Sequence, residues 1–489
     1  MTGTGGDSDV VRRERFSGGP ARSFLSSLSA DERIFEADLA VDRAHVVMLA
    51  EQGVVTDDEA ATILQALDVV EVGEHDGLPE GEDIHAAIET AVIDQVGAVG
   101  GKMHTARSRN DEVAACIRYR LREDLVEAIE ATLVCRESLA TVAEEHVETV
   151  MPGFTHLQPA QPTTVAHWVC SYQQALERDT ERLFEAFART NQSPLGAAAF
   201  AGTTFDVDRG RVAELLGFDG VLDNAMDASA TRDFLVETAS ALATLATHLS
   251  GLAEDLVVFA NRGLVDLADE YSSTSSIMPQ KVNPDTLELV RATAGDASAG
   301  LDGLLTTLKG LPRAYNRDLQ RATPHVWASV DVVTEATEVA AGAVATADWP
   351  EAELEAAAGE GFSTATGVAD LLAASGLPFR TAHEVLALAA EAAEDGGTPD
   401  YDTVATAADE VLDEPLSTYV SEEAVQTALD PVSNVAARDS LGGPAPETVR
   451  AHLDEVSDGI ATDEATLDDL TASLNAANDE LREEVTAYV

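Results

Sequence analysis

Apolar residues recur every three or four positions over long stretches of this chain. Between positions 111 and 150, Val113, Ile117, Leu121, Leu125, Ile129 and Leu133 fall four apart with charged residues between them. That spacing gathers side chains on one face of a helix. Positions 165–190 repeat it with Val165, Trp168, Val169, Tyr172, Leu176, Leu183, Phe184 and Phe187. Positions 232–266 and 288–308 carry it over lengths well above the average helix, and such helices usually pack in bundles. Alternating β-branched segments are nearly absent, so the pattern predicts an all-α fold. Pro, Gly and Ser place loops at 151–162, 192–210, 272–284 and 310–324. A chain of 489 residues is too long for one small core. G-A-V-G-G at 97–101 ends a first helical region, and beyond about Gly359 the helices shorten. The expected division is an N-terminal helical domain at 1–110, a central long-helix bundle at 111–360 and a small C-terminal helical domain at 361–489. The first ten residues and the stretch 394–401 are expected to be mobile.

Charge changes the picture of what this bundle meets. Asp and Glu number 88 against 30 for Lys and Arg, a formal charge of -58. Disorder would also require low hydrophobicity, and 45% of the residues are apolar. The expectation is a folded protein with a solvated acidic surface suited to high salt. Nucleic acid and anionic membranes are excluded as partners. Cys116, Cys135 and Cys170 are odd in number and lack metal-type spacing, so they read as buried thiols of a reducing cytoplasm. The N-terminus lacks the apolar core of a signal peptide, and no apolar run of membrane-spanning length is evident. The expected location is cytoplasmic.

In so acidic a chain the basic residues stand out. Lys102, Lys281 and Lys309 are its three lysines. Lys281 sits in S-T-S-S-I-M-P-Q-K-V-N-P-D (273–285), which has little to bury beyond Ile277, Met278 and Val282. A Ser-rich surface loop with an ordinary Pro turn is the plain reading, a working site the other. K-M-H-T-A-R-S-R-N-D (102–111) gathers Lys102, His104, Arg107 and Arg109 in a turn with Thr105, Ser108 and Asn110. A second basic island comprises Lys309, Arg313, Arg317 and Arg321. Both are candidate sites for a small anion, because Arg grips a carboxylate through a rigid fork. Arg118, Arg120 and Arg122 instead read as helix-surface partners of Glu123 and Glu127. His156 lies among three prolines in M-P-G-F-T-H-L-Q-P-A-Q-P (151–162), beside Thr155 and Gln158. A lone His is more often structural, yet one held by rigid backbone is a candidate acid or base. No metal-ligand spacing, phosphate loop or dinucleotide fingerprint is present, so neither metal nor cofactor is expected.

Together these loops resemble the fumarase/aspartase superfamily and, within it, the argininosuccinate lyase family. The 273–285 stretch is similar to the superfamily signature G-S-S-x-M-P-x-K-x-N-P, which several lyases share. H-T-A-R-S-R-N-D (104–111) selects the narrower family; T-H-L-Q-P-A-Q-P (155–162), L-P-R-A-Y-N-R-D-L-Q (311–320), E-D-I-H-A-A-I-E (82–89) and G-L-P-F-R-T-A-H-E (376–384) agree with it. The likeness runs from about Ser23 to Pro446. It implies removal of a Cβ proton from a succinyl group and expulsion of nitrogen, giving fumarate and arginine. It also implies a homotetramer with a 20-helix core, whose sites draw loops from three subunits. Carried over by resemblance, Ser275 is the general base on a mobile loop, and Lys281 and Asn283 stabilise the aci-carboxylate. His156, oriented by Glu288, assists proton transfer or positions the substrate. Substrate contacts fall on Ser27, Arg109, Asn110, Thr155, Gln158, Tyr315 and Gln320. The chain departs from the family at Thr274, where Gly is usual, and at Ala230 and Thr231, where S-D precedes R-D. Thr323 replaces a substrate-binding Lys, and Arg321 is the candidate to supply that charge. The other readings are a sister lyase acting on malate, aspartate or adenylosuccinate, and a catalytically silent, crystallin-like relative. Retained Ser275, Lys281, His156 and Glu288 distinguish the first reading from the last.

Overall fold

The structure is a computed structural model and describes residues 20–393 and 397–489. The first ten residues and 394–396, expected to be mobile, lie outside the described residues. Five long helices form the centre: α5 (Arg109–Glu145), α6 (Val165–Thr190), α9 (Asp233–Arg262), α10 (Asp285–Leu308) and α11 (Thr323–Ala345). Their ends have local causes. Ser108 caps α5 and Asp111 returns the favour to the Ser108 N–H, closing a capping box. Thr164 caps α6. Gly263, at φ 71°, ends α9 in the left-handed region that glycine enters without a Cβ clash. The helices share one core in which Leu125, Ile129, Leu176, Leu242, Leu249, Val326 and Val333 meet. Among the described residues one helix, α9, is long and apolar enough to cross a bilayer, contrary to the expectation of no such run. Its apolar face, Phe234 to Phe259, is buried in this core instead.

A second core joins α2 (Phe35–Glu51), α3 (Asp57–Val72) and α4 (Ile84–Val96) to the start of α5 and to α7 (Arg209–Leu215). A third is built on α13 (Ala365–Ala374), α14 (Phe379–Ala392), α15 (Tyr401–Val411) and α16 (Glu422–Leu429), with Phe362, Leu416 and Val420 from the segments beside them. The last helix, α18 (Pro446–Tyr488), does not stay with that third group. Val449 and Leu453 pack on the central core, and Leu481 and Val485 enter the second.

Three small two-stranded sheets interrupt the helices. The segment expected as a loop at 151–162 is an antiparallel hairpin of β1 (Val150–Thr155) and β2 (Gln158–Thr164). Prolines hid it, because each lacks a ladder N–H; here they sit on a two-stranded ribbon with open edges. Gly153 lies at its register shift, where a Cβ would collide with the Gln161 carbonyl.

Arg118 and Arg122 correct another expectation. Only Arg120 pairs on the helix surface, with Glu123 and Asp124. Arg118 and Arg122 are 2% and 3% exposed. Arg118 donates to the Arg189 and Thr190 carbonyls at the end of α6, and Arg122 to those of Leu216 and Gly217. Both guanidinium groups also lie over aromatic rings, Phe234 for Arg118 and Phe218 for Arg122. Buried cations in this protein thus satisfy the carbonyls that helix ends leave open.

Candidate active site

The loop before α10 folds back as a short hairpin, β5 (Ser273–Thr274) on β6 (Val282–Asn283). The Ser275 N–H donates to the Lys281 carbonyl at 3.0 Å, and the Lys281 N–H to that of Met278 at 2.9 Å. Inside this turn the Ser275 Oγ accepts the N–H groups of Met278 at 3.1 Å and Ile277 at 3.4 Å. Two donors aimed at a hydroxyl oxygen favour its deprotonated form, which a serine base needs. The Lys281 side chain is exposed and makes no ion pair among the described residues. Asn283 is half-buried on β6, and Glu288 is exposed in the first turn of α10.

His156 occupies the tip of the β1–β2 hairpin. Thr155 pairs with Gln158, leaving His156 and Leu157 as a two-residue turn. Both adopt positive φ, 57° and 59°, as a type I′ turn requires. Thr155, His156 and Gln158 are exposed. Arg262, the last residue of α9, donates to the Leu157 carbonyl at 2.8 Å and lies 4.5 Å over the Phe154 ring. His156 makes no ion pair among the described residues, so the expected pairing with Glu288 is absent within one chain.

The remaining candidates lie at the opposite end of the bundle. A cavity of about 400 Å³ is lined by Ser27, Tyr315, Gln320, Arg321 and Thr323. Ser27 donates to Asp31 at 2.8 Å, and the Gln320 amide to the Leu25 carbonyl at 3.2 Å. Asp83, on the cavity wall, receives Arg109 at 3.3 Å. Asn110 donates to the Ala199 carbonyl at 3.1 Å. Arg321 is exposed on the wall without an ion pair, beside Thr323. Arg232, which sequence reasoning left without a role, also lines this cavity. Burial lowers its pKa to about 10, and its Nε and Nη2 have no hydrogen-bond partner. Of the two basic islands, Lys309 is also exposed and has no ion pair among the described residues, while others are taken. Lys102 pairs with Glu59, Arg313 with Asp227 and Arg317 with Glu82.

Arg107 faces inward, against the expectation of an anion-binding side chain. It pairs with Asp42 at 2.6 Å and Glu112 at 2.9 Å, while His85 pairs with Asp38 at 2.8 Å. Burial would lower the His85 pKa, but Asp38 and Glu112 outweigh it and raise it to about 10. Burial also raises Asp42 to about 7 and Glu112 to about 8. Asp38, His85 and Cys116 place ligand-type atoms within 4.8 Å of one another, as do Asp38, Asp42 and Glu112. Arg107 and protonated His85 already supply the positive charge a metal ion would bring. Single charged residues scattered over three helices carry no sequence signal for such a network. Another cavity, about 1130 Å³ between the β1–β2 hairpin and α12 (Glu351–Ala358), is lined by Arg262, Glu355 and Glu360 and by none of the candidates.

Length and antiparallel packing explain the separation. Ser275 and Lys281 immediately precede α10, and Tyr315 and Gln320 follow it. Its 24 residues span about 36 Å at 1.5 Å each. Arg291 pairs with Glu254 across α9 and α10, so the C-terminal end of α9 and the hairpin tip it holds lie at the Ser275 end.

Comparison with known proteins identifies the family. A family model described as "Lyase" matches residues 22–298, and one described as "Argininosuccinate lyase C-terminal" matches 362–436. The argininosuccinate lyase of Natronomonas pharaonis is 68% identical over 489 residues, covering 100% of this chain and 99% of its own. That of Halobacterium salinarum is 68% identical over 99% of this chain and 100% of its own. A crystal structure of EDDS lyase in complex with formate superposes with a TM-score of 0.87 at 34% identity, covering 97% of each chain. The mostly helical lyase fold, the signature loop before α10 and identity sustained from end to end have one explanation: the chain belongs to the argininosuccinate lyase family.

Proposed function

We propose that this enzyme eliminates fumarate from argininosuccinate, releasing arginine, as a cytoplasmic step of arginine biosynthesis. The observation that carries the reading is Ser275, whose Oγ receives two backbone N–H groups in a turn that its own N–H closes on the Lys281 carbonyl. Ser275 takes the Cβ proton. The electrons left behind move into the neighbouring carboxylate, giving an aci-carboxylate that Lys281 and Asn283 stabilise. The C–N bond then breaks, and His156 assists protonation of the departing guanidine. Fixed donors matter here because the added charge appears only on the way to the transition state. Ser27, Arg109, Asn110, Tyr315, Gln320 and Arg321 hold the substrate from the far end of the bundle, with Thr155 and Gln158 at the hairpin tip. The buried, incompletely bonded Arg232 supports an anionic ligand in that cavity.

No single chain can bring groups 36 Å apart onto one small molecule. We therefore assign the working form to a homotetramer in which several chains complete each site. The surface of α10 supports this: only Leu287, Val290, Ala297 and Leu304 are buried among its 24 residues, while Leu289 is 69% exposed. A copy packed on this face would cover it.

Purified protein mixed with argininosuccinate at molar salt should release fumarate, followed by its absorbance. S275A should fold and bind but not turn over. Fumarate release undiminished in S275A would remove Ser275 as the base. Release from malate or aspartate in place of argininosuccinate would point to a sister lyase.

A further inference from the structure

Two consecutive non-glycine residues with positive φ are costly, and the β1–β2 turn has them at the position that presents His156. Type I′ turns strongly prefer Asn-Gly; His-Leu supplies neither glycine nor a side chain that hydrogen-bonds locally. The ribbon around it has only two strands and cannot enforce the turn alone. Something outside must hold it.

Arg262 reaches it from the end of α9. Arg262 donates Nη2 to the Leu157 carbonyl at 2.8 Å, and its guanidinium lies 4.5 Å over Phe154, one residue before the Thr155–Gln158 pair. Its backing is rigid. Phe154 packs on Phe259 of the same helix with centroids 6.0 Å apart, and Phe259 on Trp168 at 5.1 Å. Trp168 in turn donates Nε1 to Asp255 at 3.0 Å. Arg262 makes no ion pair among the described residues, although acids outnumber bases almost threefold in the sequence. A cation at the last turn of α9 also interacts favourably with the helix dipole, which helps fix its place.

We propose that Arg262 is a positioning residue: it clamps the strained His156–Leu157 turn against the end of α9 and so sets where the His156 imidazole stands. The clamp acts through the Leu157 carbonyl and the Phe154 ring, never on substrate. It rests on the reading of His156 as a working residue of the lyase reaction.

The assembled enzyme tests this with four variants, H156N, R262A, R262K and R262A combined with L157G. Misplacing a reacting group by about 1 Å can cost about 100-fold, so R262A should lower kcat by about 10- to 100-fold with KM and melting temperature little changed. R262K, which keeps the charge but loses the flat fork, should recover only part. Glycine at 157 accepts positive φ without a Cβ clash, so R262A with L157G should regain most of the lost kcat. A slow R262A that L157G does not rescue overturns the clamp, as does a rise in KM alone. Normal kcat in R262A beside an inactive H156N also overturns it. Normal turnover in H156N would instead overturn the role of His156 on which the proposal stands.

Discussion

At the scale of single residues the site depends on charges left unpaired and charges buried in pairs. Lys281 is of the first kind. Losing one preorganised oxyanion donor costs about 10²–10³-fold in rate, so K281M should be at least that slow in kcat; an effect on KM alone would make it a ground-state clamp. The Arg107 network is of the second kind, and its proton balance sets a pH dependence. Asp42 and Glu112 hold protons in the folded state up to about 7 and 8, whereas the unfolded chain releases them near 4. His85 likewise keeps its proton up to about 10 instead of losing it near 6.5. In each case the folded state binds more protons, so the stability these groups contribute falls as pH rises from about 4, where unfolded Asp42 and Glu112 ionise, to about 10, where folded His85 does. The melting temperature should decline over that window, and less steeply below pH 8 in E112Q; a flat profile would contradict the assignment. Sequence singled out Ser275 and Lys281 as candidates because a polar motif stands out where little needs burying. It could not show the N–H groups on the Ser275 oxygen, which arise from the fold of 275–281. Arg107 and Arg109 looked alike in one turn, yet Arg107, just before α5, pairs with buried carboxylates, and Arg109, the first residue of α5, pairs with Asp83 of the cavity wall.

At the scale of elements, helical periodicity located α5, α6, α9 and α10 to within a few residues, because each buries a continuous apolar stripe. The β1–β2 hairpin was lost because its prolines and lack of alternation conceal a ribbon that packs through Val150 and Met151, with Phe154 partly buried. The destination of α18 was equally hidden. Its few apolar residues are spread along 43 positions, and only tertiary contact shows that they serve two cores in turn. Polar ties hold it there: Tyr119 donates to Asn478 at 2.6 Å, Arg211 pairs with Glu480 and Glu484, and the fully buried Arg136 pairs with Asp463. Removing one partner of a fully buried pair costs roughly 3–5 kcal/mol. Asp463 is partly exposed, so D463A should cost less, about 2 kcal/mol by denaturant titration. An unchanged midpoint would mean that solvent already satisfies Arg136.

At the scale of the whole molecule, a charge of -58 per chain repels itself, and more so once chains associate. The Debye length is about 10 Å at 0.1 M salt and about 3 Å at 1 M, so molar salt removes most long-range repulsion between exposed carboxylates. Light scattering and fumarate production should fall together as KCl drops well below molar; equal mass and activity at low salt would make the acidic surface incidental. The separation of the two candidate clusters along α10 has a consequence for mixed populations of chains. A chain damaged at both ends, such as S275A combined with Q320A, does not remove one site's worth of output when it joins intact partners. It spoils every site to which it lends either end, so activity should fall more steeply than the fraction of damaged chains. Two chains damaged at opposite ends should do the reverse, since some pockets in their hybrids receive two sound halves. Inheritance of a defect would then depend on where along a single helix the damage lies.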